Sequence, residues 1–128
     1  MTDKKLYYFA HPYSVVVGGK RILAAEEANF RLCCFRTAEL LKRGYLLYAP
    51  VCATHPIHSV WPESLADGVF DWYGLDNAII AACDFWGIIL APGWRKSRGC
   101  IAERDLFLAK NKPVYFYEDL VETPQCPK

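Results

Sequence analysis

Short apolar runs alternate along this chain with longer stretches of helical periodicity. Lys5 to Ala10 is apolar and aromatic and ends at His11-Pro12, where proline stops regular pairing, so it reads as a buried first strand. From about Arg21 to Arg43, the residues Ile22, Ala25, Phe30, Cys33, Ala38 and Leu41 recur at helical spacing with Arg and Glu between them. Gly44 stands where a C-terminal cap belongs. Tyr45 to Ala49, closed by Pro50, is a second strand. Val51 to Glu63 is interrupted by prolines and carries His55 and His58, which predicts a loop over the sheet. A second helix is expected from about Leu65 to Ala82, and an apolar third strand from Asp84 to Leu90, closed by Ala91-Pro92-Gly93. A third helix follows from Ser97 to Lys110, and a fourth strand from Pro113 to Tyr117. Asp119 to Val121 is open between a short edge strand and none, and Glu122 to Lys128 reads as a loose tail.

Strands alternating with helices of this length predict right-handed βαβ units. The expected α/β fold is a parallel sheet of four to five strands with helices on both faces, in one domain over residues 1–128. In such sheets a ligand sits outside the carboxyl ends of the strands. That narrows the candidate site to the loops His11 to Gly19, Val51 to Glu63 and Ala91 to Gly99, and to the tail. Asp84, at the start of the third strand, belongs at the opposite end and is set aside.

Composition narrows the partner. Fifteen basic and fourteen acidic residues leave a formal net charge of +1, so nothing marks a sequence-independent grip on a nucleic acid polymer, and a small molecule is the expected partner. Aromatic residues make up 15% of the chain, more apolar surface than a monomer of this size needs, which predicts a homo-oligomer. No apolar run is long enough to span a membrane and no secretory signal is evident. The six cysteines form no CxxC pair and are expected as reduced thiols in the cytoplasm.

The most informative stretch is Pro92 to Glu103, a glycine-bearing polar turn leading into a helix. First-turn N–H groups, the Ser97 hydroxyl and nearby Arg95, Lys96 and Arg98 suit an anion such as phosphate; Ser97 is equally suited to be an ordinary helix cap. Glu103 lies four residues after Gly99 on the same helical stripe. Its carboxylate should lean back toward the loop, over the space that a glycine leaves open. An arbitrary helical Glu would instead pair with a basic residue one turn away. Asp71 and Asp76, five residues apart on the expected second helix, should not share a face, and geometry alone leaves both in play. Cys52, His55 and His58 have a spacing that raises a metal site. Pro56 argues against a helix to gather them and no fourth ligand is evident, so hydrogen-bonded histidines and no metal are expected. His11 and Ser14 after the first strand, and Trp94 in the loop after the third, are further candidate substrate contacts, with Trp94 open between stacking on a base and packing in the core.

Tyr8-Phe9-Ala10, Asp76 eight residues before Asp84, and Ser97-x-Gly99-x-x-x-Glu103 occur in order on matching elements. Together they resemble the nucleoside 2-deoxyribosyltransferase-like superfamily over nearly the whole chain. The resemblance implies a flavodoxin-like five-stranded fold, an oligomer, and cleavage of the bond between nucleobase and sugar, a double displacement through a glutamate that requires no metal or organic cofactor. It implies Glu103 as nucleophile, Tyr8 as the phenol that orients it, and Asp76 as a carboxylate near the sugar or the departing base. Ser97, six residues before the glutamate, resembles the nucleoside 5′-monophosphate hydrolases, whose serine there contacts phosphate; the deoxyribosyltransferases proper tend to have an acid. The His11-Pro12-Tyr13-Ser14 loop and the longer loop with Trp94, Arg95 and Lys96 depart from that branch. The expected function is therefore N-glycosidic cleavage of a nucleoside 5′-monophosphate. Base exchange between nucleosides, a phosphoribohydrolase-type reaction and a non-catalytic nucleotide sensor stand as alternatives.

Overall fold

The computed structural model describes residues 4–122; Cys126 and the tail beyond Glu122 lie outside the described residues. Four parallel strands form the sheet: β1 (Leu6–Ala10), β4 (Leu46–Tyr48), β5 (Gly87–Leu90) and β6 (Val114–Phe116), in the order β4-β1-β5-β6. β2 (Val16–Val17) and β3 (Lys20–Arg21) form a separate antiparallel hairpin. The helices are α1 (Leu23–Lys42), α2 (Pro50–Val60), α3 (Trp72–Ala82), α4 (Arg98–Ala109) and α5 (Tyr117–Glu122). The protein is thus α/β with a flavodoxin-like strand order, and helices cover both faces of the sheet.

Alternation along the central strands divides the core in two. Tyr8, Ala10, Ile88 and Leu90 face α3 and α4, where Ile80, Cys100 and Phe107 meet them. Phe9 and Ile89 face the other way, onto Cys33 and Leu40 of α1, Val51 of α2 and Tyr117 of α5. The two central strands are buried on both faces, so they read as continuous apolar runs. Gly87 marks a close approach, since a Cβ there would lie 2.6 Å from the Pro113 carbonyl oxygen. α1 stops where expected: Gly44 takes a positive φ and donates its N–H to the Leu41 carbonyl.

Several expectations change. Val51 to Glu63 is not a loop; it forms α2 and then a 3-10 turn over Pro62–Leu65. Pro50 occupies the first helical position, where no N–H is needed, and Pro56 stands on the exposed side of the helix. Val51, His55 and His58, at i, i+4 and i+7, form its buried stripe. The second expected helix begins seven residues later than read, at Trp72, because Asp71 caps it by accepting the Gly74 N–H at 2.8 Å. Gly74 is required there, since a Cβ would run into the Asp71 carboxylate. Asp119 to Val121 is helical, leaving four strands rather than five. The hairpin went unread, although Gly18 and Gly19 both take positive φ, as a tight two-residue turn requires. No helix among the described residues is long and apolar enough to cross a membrane.

Candidate active site

β1 sends its chain toward β4 on one side, β5 sends its chain toward β6 on the other, and a crevice opens where the two connections diverge. A cleft of about 770 Å3 occupies that place. His11, Tyr13 and Ser14 reach it from the end of β1, Val51 and His58 from α2, and Ser97, Arg98 and Gly99 from the start of α4. Asp76 of α3 and Glu103 of α4 also line it, as does the hairpin through Val16 and Arg21. The Val51–Glu63 segment, expected as a loop, and Asp71, the alternative to Asp76, both border the cleft, the first as a helix wall and the second as the cap of α3 at its rim.

Tyr8 is wholly buried, its ring set edge-on to Phe85 at 5.3 Å and tilted against Phe107 at 5.6 Å. Its hydroxyl donates a short hydrogen bond to Oε2 of Glu103. Burial and the facing Glu103 and Asp76 carboxylates push the Tyr8 phenol far above its ordinary range, so it stays a neutral donor. Burial also pushes Glu103 up to about 8; the Tyr8 hydrogen bond works against that shift and the Asp76 carboxylate adds to it. Asp76 is raised to about 6 by burial, and its Oδ1 is buried without a protein partner. Near neutral pH the two carboxyl groups thus hold about one proton between them.

Ser97 caps α4, accepting the Cys100 N–H at 3.2 Å, so the cap reading holds and the hydroxyl proton stays free to be donated. The first N–H groups of α4 have no acceptor within the helix. Lys96 and Arg98 border the cleft beside them. The space over Gly99 is not open: the Tyr73 ring lies 3.7 Å from where a Cβ would stand. Trp94 lies outside the cleft. It is buried against Phe116, and the Arg95 and Arg104 guanidinium groups cover its ring at 4.8 and 5.1 Å. It is therefore a core residue and not a substrate contact, and Arg95 is spent on it. His11 donates its Nδ1–H to the Pro12 carbonyl at 2.8 Å and accepts from Arg36 at Nε2 at 3.0 Å, and burial lowers it to about 4.

A polar chain that sequence reading missed runs from α1 to the cleft. Glu27 Oε1 lies 2.9 Å from His55 Nε2, and the Tyr13 hydroxyl lies 2.7 Å from His55 Nδ1 and 3.0 Å from His58 Nδ1. The hydroxyl has one proton, so it donates to one ring and accepts from the other. With His55 giving its Nε2 proton to Glu27, Tyr13 donates to His55 and accepts from Nδ1–H of His58. Burial lowers His58 to about 4, so it is neutral and its Nε2 is a bare acceptor, buried without a protein partner. These histidines are hydrogen-bonded, and Cys52 instead meets two thiols of α1. Asp84 is at the far end of the sheet, as expected, beside Lys112 at 3.3 Å.

Fold and site together define an α/β protein with two half-buried carboxyl groups lining a cleft at the strand-order switch. Residues 5–119 match the family model described as "Domain of unknown function (DUF1937)", and the chain belongs to that family. No curated protein matches it.

Proposed function

We propose that the protein is an N-glycosidase that cleaves the base–sugar bond of a nucleoside 5′-monophosphate by way of Glu103. The observation that carries this reading is Glu103, hydrogen-bonded to the buried Tyr8, lining the cleft together with Asp76. Glu103, raised further than Asp76, holds the shared proton most of the time. The attacking form is the one in which that proton has passed to Asp76, leaving Glu103 ionised and held by Tyr8 to attack the anomeric carbon through an oxocarbenium-like transition state. Asp76 is then an acid that can protonate the departing base. Water resolves the glycosyl-enzyme; a second base in that role would make the protein a transferase. The mouth of α4, with Ser97, Lys96 and Arg98, suits the phosphate. Elsewhere in the cleft lining, His58 Nε2, Ser64 Oγ and Arg21 Nε are buried without hydrogen-bond partners, a set fitted to the edge of a heterocyclic base. Five of the cysteines are free thiols, in keeping with the cytoplasm as the place of action.

The test is incubation with a panel of nucleosides and their 5′-monophosphates, ribo and deoxyribo, with chromatography for free base. Release from a monophosphate is the expected result; tight binding without any release would favour a sensor.

A symmetric oligomer belongs to the same proposal. Val17 on the hairpin, Val60 at the end of α2 and Tyr73 at the cleft are 64%, 83% and 60% exposed, an apolar rim that a second copy would cover. Light scattering at micromolar concentration should give at least twice the 14.6 kDa of one chain. A fully active monomer would refute it.

A further inference from the structure

Three thiols meet where α1 packs on α2, beside the histidine chain on the same interface. Cys52 Sγ lies 3.5 Å from Cys34 Sγ and 3.6 Å from Cys33 Sγ, and the Thr37 hydroxyl is 3.7 Å from it. Cys33 is wholly buried, whereas Cys34 and Cys52 are partly open to solvent. The cleavage chemistry uses none of them. We propose that Cys52 and Cys34 are a peroxide-reactive pair that closes to a disulfide joining α1 to α2.

The roles follow from position. Cys52 is in the first turn of α2, where the helix dipole favours a thiolate. Contacts from Cys33, Thr37 and Cys34 bring its thiol down to about 6, while burial pushes Cys34 up to about 11. Cys52 is therefore the attacking sulfur and Cys34 the resolving one. The Cys52 thiolate takes the terminal oxygen of hydrogen peroxide, giving a sulfenic acid and hydroxide; the sulfur is oxidised by two electrons and the peroxide reduced by two. The Cys34 thiol then attacks that sulfur, forming the S–S bond and releasing water. The sulfurs must approach by about 1.5 Å to reach bonding distance. Because α2 carries Thr54 and His58 into the cleft wall, the bond fastens that wall to α1.

The whole chain, fully reduced, is treated with a few equivalents of hydrogen peroxide, blocked with N-ethylmaleimide and mapped by peptide mass spectrometry. The expected product is a Cys34–Cys52 cross-linked peptide two hydrogens lighter, formed while Cys83, the exposed lone thiol, is still free. Cys34→Ser should leave a sulfenic acid at Cys52 that dimedone traps, or an exchange product with Cys33. Cys52→Ser should slow peroxide consumption at least tenfold. Oxidation that reaches Cys83 before Cys52, or a wild-type chain that loses thiols with no cross-link at Cys52, would overturn the proposal. Neither result depends on whether the protein cleaves nucleotides.

Discussion

Glu103→Ala is expected to stop release of free base, lowering kcat by about three orders of magnitude or more, while the fold survives. Glu103→Gln should be equally inactive, because an amide keeps the shape and the Tyr8 contact but cannot attack. In the wild type, kcat/KM should follow a bell-shaped dependence on pH with limbs near 6 and 8. Below the first limb both carboxyls are protonated and no nucleophile exists; above the second both are ionised and no acid faces the leaving base. Asp76→Asn should remove the bell and slow bases that are poor leaving groups most. The same shift has a thermal signature. A carboxyl raised from 4.5 to about 8 on folding contributes stability that is fully present below pH 4.5 and is lost as pH rises through 8. Glu103→Gln should therefore melt a few degrees higher than the wild type at pH 9 and close to it at pH 4. Wild-type turnover by either variant at position 103 would rule out the mechanism, and a melting difference with the same size at both pH values would rule out the buried charge.

Ser97→Ala is expected to reduce kcat/KM on a 5′-monophosphate by roughly ten- to a hundredfold, the range that corresponds to a charge-assisted hydrogen bond of about 1.5 to 3 kcal/mol. The matched nucleoside should be affected far less. The serine also caps α4, and losing a cap costs about 1 kcal/mol of stability, but that loss acts on both substrates alike. The ratio between them isolates the phosphate contact. Ser97→Asp, which can still cap the helix, should shift preference toward the nucleoside by repulsion. Equal losses on both substrates would leave Ser97 as a cap alone and favour the base-exchange alternative.

What the sequence made legible was what periodicity and end signals encode. The four strands, α1 and α4 lie within a few residues of their expected places, because each carries either a continuous apolar run or a helical stripe with a recognisable stop. α2 was hidden by its prolines: Pro50 and Pro56 look like breakers, but one sits at the tolerated first position and the other on the outer side. Its signal was the Val51–His55–His58 stripe, readable only if histidine counts as a buried residue. Of the site, Asp76, Ser97 and Glu103 line one cleft, with Tyr8 buried behind Glu103, and Trp94 does not line it, since a loop tryptophan with two arginines nearby can turn either way. The Glu27–His55–Tyr13–His58 chain joins residues from three separate segments, and spacing along the chain says nothing about such a meeting.

Tyr8 has its ring in the interior of the molecule, and its hydroxyl bonds Glu103, which lines the cleft. The floor beneath the cleft and the aromatic core are thus one object, while Val16, Arg21 and Phe70 on the cleft walls belong to a hairpin and a rim that contribute little to the core. Substitutions can accumulate on those walls at small thermodynamic cost, and the ligand accepted by members of the family can drift, whereas the floor tolerates change only at the expense of the whole chain. Descent would then preserve a shared chemistry beneath a diversity of substrates.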